Sequence, residues 1–270
     1  KLKEGDEVVQ QLESTNNVDL LFFTDRAQVY KAKASDFGDT KASVLGEYIP
    51  AKLGMDEGEN AIYMAVTKDY GGYMLFFFEN GKVAKVNMES YATKTNRRKL
   101  LGAYSDKSPA ASIAYIQEDC EFLLTSAQGR MLLMHTGAIQ PKTTRNTQGV
   151  AAMTLRKGGR LLRAVPYAEG MLKKPDRYRK NIPALGALPT PEETAGEQLT
   201  LGPPAYAAVA GDHHQRQVLG LAGRIHIHRC HQCARRQHGQ AGAAQVAAGK
   251  AVTFILRMQI VDDLAGNKAR

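Results

Sequence analysis

The sequence predicts an all-β fold, a propeller-like array of four-stranded blades, and two observations lead to this prediction. One hairpin-like stretch occurs three times, and signals with the period of a helix are scarce before residue 190. With Val29, Val83 and Met131 taken as equivalent positions, the copies are offset by 54 and 48 residues. This period is long enough for one four-stranded unit and too long for one coil of a solenoid.

Each copy has the pattern of a β-hairpin. An apolar run rich in β-branched and aromatic residues meets a polar turn, and a run follows in which apolar and basic residues alternate. The apolar runs are residues 20–23, 74–78 and 122–124. The turn Asn80-Gly81 is the strongest short hairpin signal, because both residues tolerate positive φ. Gln128-Gly129 also supplies a glycine, whereas the first copy has Arg26-Ala27 and therefore a weaker turn.

A further apolar strand and turn lie upstream of the second and third hairpins and recur after the third. These strands are predicted at residues 61–66, 111–116 and 150–155, and a run at 160–165 follows the last of them as part of a fourth unit. About three and a half repeats imply roughly a dozen strands or more, which suits blades around an axis better than a two-sheet sandwich.

Length and composition limit the class of protein. The chain has 270 residues, 43% of them hydrophobic, which is enough for a sizeable core. No apolar run is long enough to cross a bilayer and no signal-peptide pattern opens the chain, so we expect a soluble, intracellular protein without membrane contact. The three cysteines fit a reducing compartment. Because the chain begins at Lys1 and enters a strand pattern almost at once, we expect a fragment that lacks an N-terminal portion.

The basic excess is unevenly distributed. Of the net charge of +9, residues 202–270 contribute +6, from nine Lys/Arg against three Asp/Glu, and residues 1–201 contribute +3. The repeats are thus only mildly basic, and any affinity for nucleic acid must come from where the cations lie.

Several cations follow the hairpins, where a blade array would present them at a rim or an outer edge. They are Lys31, Lys33, Lys94, Arg97, Arg98, Lys99, Lys142, Arg145, Arg156, Lys157 and Arg160. A continuous stripe of such residues would bind phosphate with strong salt dependence and little sequence preference. The alternative is that lysines on exposed strand edges only prevent edge-to-edge aggregation.

Together, these motifs resemble a known family. The opening 2–9 (Leu-Lys-Glu-Gly-Asp-Glu-Val-Val), the hairpins Leu-Phe-Phe-Thr-Asp and Phe-Phe-Glu-Asn-Gly-Lys-Val, and Thr-Gln-Gly-Val at 147–150 are similar to the C-terminal domain of the A subunit of bacterial type IIA DNA topoisomerases, gyrase and topoisomerase IV. The resemblance covers about residues 1–201, and it rests on the order and repetition of the motifs.

The resemblance implies a β-pinwheel whose basic rim binds and bends duplex DNA and feeds it to the cleavage core. The implied partners are double-stranded DNA and, in an A2B2 assembly, the ATPase B subunit together with the remainder of the A subunit. The implied location is the bacterial cytoplasm, close to the nucleoid. This chain itself would hold no cofactor, with ATP and Mg²⁺ acting elsewhere in the enzyme. The competing function is a propeller-like scaffold that binds proteins and not DNA.

Two features of the family are missing from this sequence. Gyrase's Gln-Arg-Arg-Gly-Gly-Lys-Gly box is not found, and the similar run 156–160 (Arg-Lys-Gly-Gly-Arg) falls in a different place in the repeat, at a hairpin turn. The family's active-site tyrosine also lies outside this chain. We therefore predict no catalytic residue and no metal site, and an accessory role in DNA topoisomerisation. The choice between gyrase and topoisomerase IV stays open.

The predicted boundaries are 1–166 for the blades, 167–201 for a closing strap with a flexible acidic end, and 202–270 for an irregular or disordered tail. The tail holds six of the seven histidines and the run His-Ile-His-Arg-Cys-His-Gln-Cys at 226–233. Three interpretations stay open for it: translation past the normal stop or in another frame, a disordered basic extension, or a zinc site built from the Cys-x-x-Cys and its histidines.

Overall fold

The structure is a computed structural model, which describes residues 6–15, 17–38, 46–93, 98–194, 222–229 and 251–259. The chain divides into two compact units, the first formed by residues 1–68, 97–99 and 211–270 and the second by 69–96 and 100–210. Within the described residues, no helix is long and apolar enough to cross a membrane.

Strands dominate both units, as the sequence predicts. In chain order they are β1 (Asp6–Thr15), β2 (Asp19–Thr24), β3 (Val29–Lys33), β4 (Glu47–Tyr48), β5 (Ala61–Thr67), β6 (Tyr73–Phe78), β7 (Lys82–Asn87), β8 (Lys99–Leu100), β9 (Ala110–Ile116), β10 (Glu121–Ser126), β11 (Met131–His135), β12 (Val150–Ala151), β13 (Leu161–Pro166), β14 (Ala222–Arg229) and β15 (Ala251–Gln259). The helices are short: α1 (Ile49–Leu53), α2 (Pro175–Tyr178) and α3 (Pro191–Thr194), with single 3₁₀ turns at Ala34–Asp36, Met88–Tyr91 and Thr136–Ala138.

Three sheets repeat one plan. Each has a hairpin at its centre, β2–β3, β6–β7 or β10–β11, and the first hairpin strand pairs with a strand from farther along the chain, β5, β9 or β13. The second hairpin strand pairs with a later segment again: β8 beside β3, β12 beside β7, and an isolated bridge to Ala187 beside β11. The three hairpins and their 3₁₀ turns keep the offsets of 54 and 48 residues, which confirms the predicted repeat.

The strand pairing differs from the sequence interpretation in one respect. The sequence pattern groups the strands at 61–66 and 111–116 with the hairpins that follow them, but β5 completes the sheet of β2 and β9 completes the sheet of β6. Likewise β12 and β13, assigned to a fourth unit, belong to the second and third sheets, and β12 has only two residues where a strand at 150–155 was predicted. Successive repeats are therefore interleaved.

Local details repeat as well. The register of the pairing shifts at equivalent positions, between Phe23 and Thr24, between Phe77 and Phe78, and between Thr125 and Ser126. At the hairpin turns, Gly81 and Gly129 have positive φ, and Ala27 adopts the same backbone with φ of 53°. Alanine is strained in this conformation, in agreement with the weaker turn predicted for the first copy.

Apolar residues on the hairpin strands form the core of each unit. In the first unit Leu20 and Phe22 of β2 are fully buried with Ile49 of α1, and in the second unit the rings of Phe77 and Phe122 lie 4.9 Å apart. Leu21 and Phe23 of β2 are fully buried too, so the continuous apolar run marks a strand that is buried on both faces.

A fourth sheet has the order β1-β15-β14-β4, so part of the segment 202–270 is described as a hairpin paired with β1 and β4. Only the backbone of β14 and β15 is described, and Cys230, Cys233 and His238 of the predicted zinc motif lie outside the described residues. The predicted domain boundaries, and the interpretations of the tail, stay predictions.

Candidate nucleic-acid interface

The first cluster of predicted cations lies at one edge of the first repeated sheet. Lys31 and Lys33 alternate along β3, and the backbone amide of Lys31 donates to the carbonyl of Arg98 at 2.6 Å. Lys99 follows in β8, the strand beside β3. Pairing of the β3 and β8 edges thus brings four predicted residues together that are about 65 positions apart in the chain.

The four side chains differ in how far they are engaged. Lys33 and Arg98 are exposed, and the described residues offer neither of them an ion pair. Lys99 contacts Asp56, with its Nζ 2.7 Å from Oδ2, and lies 5.4 Å from the centre of the Tyr30 ring. The hydrogen bond to Asp56 raises the pKa of Lys99, and the same contact lowers the pKa of the carboxyl. Part of this cluster's charge is therefore neutralised within the sheet.

Lys31 is half-buried, and the desolvation this causes lowers the pKa of its amine, while Asp19 acts in the opposite direction. The Lys31 side chain therefore has less freedom to reach a ligand than the side chain of Lys33, the next basic residue of β3.

The second cluster lies at the equivalent edge of the second sheet. The segment around Lys142 follows β7: its amide donates to the Lys85 carbonyl at 2.8 Å, and the Asn87 amide donates to the Lys142 carbonyl at 2.9 Å. The Lys142 side chain is exposed. Lys82, on the same strand and not predicted, lies 3.4 Å from the Gln148 side chain. The alternation of apolar and basic residues after the Asn80-Gly81 turn is the sequence pattern that could have predicted Lys82.

Arg145 has a different role from Lys142. It is half-buried, and its two terminal nitrogens donate to the carbonyl oxygens of Ser90 at 3.1 Å and Leu101 at 3.5 Å. These bonds hold two backbone segments together, so the guanidinium is fixed between the Leu101 turn and the 3₁₀ turn that follows β7.

The third predicted group forms the turn before β13. Arg156 and Lys157 are exposed beside Gly158, and Arg160 lies 3.9 Å from Glu79 in a long ion pair. This turn packs on the second hairpin turn, because the amide of Leu161 donates to the carbonyl of Glu79 at 2.8 Å. It is separate from the edge around Lys142. Lys94 and Arg97, the two remaining predicted residues, lie outside the described residues.

A lysine of the alternating pattern that was not predicted as a contact is structural. Lys85 occupies the repeat position of Lys31 but is buried, with its Nζ 2.5 Å from Asp119 and 4.3 Å from the centre of the Tyr73 ring. Burial acts to raise the pKa of Asp119, but hydrogen bonds from Lys85 and Thr136 outweigh it and lower that pKa. A basic residue at a repeated position therefore does not always face solvent.

The placement of the β7–β12 edge follows from the strand at the other end of its sheet. In the second unit β9 and β13 lie side by side, and the amide of Ala164 donates to Ser112 at 2.9 Å. Since β9 is at one end of its sheet, the β7–β12 edge at the other end faces away from this contact. Among the described residues, no three His, Cys, Asp or Glu side chains are grouped to hold a metal ion.

The repeated, interleaved sheets define a β-pinwheel. Residues 19–43 and 121–167 match the family model described as DNA gyrase C-terminal domain, beta-propeller. The crystal structure of the C-terminal domain of DNA topoisomerase IV shares the fold, with a TM-score of 0.61, 19% identity and coverage of 70% of this chain and 63% of that one.

Two curated proteins are similar to this chain over more than half of its length. The DNA gyrase A protein of Streptomyces coelicolor is 27% identical over 171 residues, 60% of this chain and 20% of that protein. The DNA gyrase A protein of Borreliella burgdorferi is 23% identical over 171 residues, 62% of this chain and 21% of that protein. The chain is thus similar to DNA gyrase A proteins and to the gyrase C-terminal domain, as the sequence motifs indicated, and it spans about a fifth of the length of these two proteins.

Proposed function

We propose that this chain binds and bends duplex DNA and presents it to the cleavage core of a type IIA topoisomerase. The observation that carries the proposal is the repetition of cations at one edge of two successive sheets, around Lys33 and Arg98 beside β3 and around Lys142 beside β7. Unrelated surface cations would not be expected at the equivalent edge of both sheets.

The chemistry of these edges suits a phosphate backbone and not a particular base sequence. The exposed cations are carried by strand edges and turns, which contact phosphates without entering a groove as a recognition helix does. The similarity to gyrase A proteins supports the rest of the A subunit as a partner. The proposed activity also requires an ATPase B subunit that supplies ATP and Mg²⁺ chemistry. The site of action would be the bacterial nucleoid in the cytoplasm.

A salt titration of the full chain on a duplex of random sequence tests the proposal. Phosphate contacts by the five exposed predicted cations, Lys33, Arg98, Lys142, Arg156 and Lys157, would make the log–log slope of the binding constant against salt about −4.5. That slope corresponds to a roughly 500-fold loss of affinity between 50 and 200 mM salt. No binding at low salt by folded protein would refute DNA binding and favour the protein scaffold.

Charge-removing variants locate the contacts. The substitutions Lys33→Gln, Arg98→Gln and Lys142→Gln should each reduce the salt slope by about 1 and weaken binding to all sequences alike. The matched control is Lys68→Gln, because Lys68 is also exposed but follows β5, at the opposite edge of the first sheet. An equal effect of Lys68→Gln would show that overall charge, and not the edge, determines binding.

A further inference from the structure

The turn after β8 presents an apolar side chain to solvent. Leu101 is 66% exposed, more than the other exposed large hydrophobic residues among those described, Tyr48, Val150, Met171 and Leu188, at 41–50%. Residues close to it in the chain are buried: Leu100 is 4% exposed and Ala103 is fully buried. Leu101 is therefore exposed on a turn whose neighbouring residues are packed into the core.

The anchoring comes from two side chains beneath the turn. Arg145 donates to the carbonyl of Leu101, and the hydroxyl of the buried Tyr91 donates to the carbonyl of Ala103 at 2.7 Å. Tyr104, the next residue, stacks on Phe76 with ring centres 5.0 Å apart. The peptide groups that follow Leu101 and Ala103 are thus held, so the backbone that carries the Leu101 side chain is already ordered before binding, which reduces the entropy cost of binding.

The same edge carries the phosphate-binding candidate of the second unit. Arg145 joins the Leu101 turn to Ser90, which follows β7, while Lys142 is bonded to β7 itself. An exposed apolar side chain and an exposed ammonium are therefore carried by one bonded framework of the β7 edge.

We propose that Leu101 is a wedge that inserts between two base pairs and kinks the duplex held at this edge. This inference rests on the proposed DNA binding and adds the residue that deforms the DNA. Leucine is among the side chains that unstack base steps in this way, with kinks of about 20–90°. Insertion should favour pyrimidine–purine steps, which unstack most easily, so the chain would prefer a TA step without reading any base edge.

Arg145 acts in this scheme as a positioning residue. Its fork binds two carbonyl oxygens at once, a geometry that the single ammonium of lysine does not reproduce. Arg145→Lys keeps the positive charge, so the salt slope should stay the same. The backbone at Leu101 should be held less firmly, because lysine cannot bind both carbonyl oxygens in the same way.

The test uses the full chain and a duplex of about 30 base pairs with one central TA step, in which 2-aminopurine replaces the adenine and donor and acceptor dyes mark the ends. Wild-type protein should raise the 2-aminopurine fluorescence severalfold and shorten the distance between the ends. Leu101→Ala should abolish both changes, while its affinity stays within about threefold because the lost contact and the avoided unstacking cost offset each other. Leu188→Ala, which shortens another half-exposed leucine, should leave both changes intact.

The outcomes separate the two proposals. Wild-type binding with normal salt dependence, but with the same fluorescence and bend in Leu101→Ala, refutes the wedge alone. A wild-type chain that does not bind refutes the proposed function and the wedge with it. Circular dichroism confirms that each variant is folded.

Discussion

Substitution of Gly81 tests whether the second hairpin turn depends on close approach of another segment. Gly81 has φ of +80°, and a Cβ at this position would lie 2.2 Å from the carbonyl oxygen of Met153. The Gly81 carbonyl also accepts the amides of Ala152 and Met153, each at 3.0 Å. Gly129 is the matched control, since it occupies the same place in the third hairpin with φ of +71° and has no atom within 4 Å of a Cβ.

The two substitutions to alanine share one cost and differ in another. Positive φ costs an alanine about 1–2 kcal/mol at either site. At Gly81 the clashing atom belongs to the backbone, so the segment must move and strain its two hydrogen bonds, each worth about 1 kcal/mol. Overpacking adds about 1 kcal/mol or more. We expect Gly129→Ala to lower the free energy of unfolding by about 1–2 kcal/mol and Gly81→Ala by about 4–5 kcal/mol.

Urea unfolding followed by circular dichroism measures both variants against the wild type. The difference of about 3 kcal/mol corresponds to a change of roughly 100-fold in the unfolding equilibrium, well above the error of extrapolation. A Gly81→Ala variant that is no less stable than Gly129→Ala would show that the 150–155 segment does not pack on this turn, and the interleaved pairing would then be wrong there.

Two more predictions concern stability. Ala27→Gly should raise the free energy of unfolding by about 0.5–1 kcal/mol, because relief of the backbone strain at φ of 53° exceeds the entropy gained by the unfolded chain. A melting temperature below that of the wild type would contradict the turn conformation at Ala27. Lys85→Met should cost about 2 kcal/mol, less than for a fully buried pair because Asp119 reaches solvent; an unchanged urea midpoint would argue against the ion pair. The pKa of Asp119 is lowered in the folded state, so its contribution is complete above the unfolded pKa of about 3.9 and is lost as the pH falls through the folded value. Lys85→Met should therefore lose less stability than the wild type between pH 5 and pH 2, and parallel acid-unfolding curves would count against this.

The sequence predicts the hairpins well because their signals are local. Continuous apolar runs mark the first strand of each hairpin, which is buried on both faces, and the glycine in Asn80-Gly81 and Gln128-Gly129 places the turn. The partner of each hairpin is not local. β5 is equally apolar whether it pairs with the hairpin before it or the one after it, so pattern alone could not assign it.

The candidate interface shows the same limit. Alternation predicted that basic residues on the second hairpin strands face solvent, which holds for Lys33 but not for Lys85. The difference comes from Asp119, which is 34 residues farther along the chain and supplies the buried partner. Likewise Arg145 reads as one more cation in the sequence, and only the positions of Ser90 and Leu101 reveal that it holds backbone carbonyls.

Interleaving of the strands bears on how such an array can change in length. Each hairpin pairs with strands that lie farther along the chain, and each repeat supplies such strands to the hairpin before it. The two ends of any whole period of about 50 residues therefore have equivalent pairing partners. Gain or loss of one period leaves every remaining hairpin with a partner of the right register. A break within a period, such as one between β7 and β8, instead separates the hairpin β6–β7 from β9 and β12, the strands that complete its sheet. Duplication and deletion of whole repeats are thus structurally neutral events for this fold, whereas a break between β7 and β8 divides two sheets, because it also separates β8 from β3.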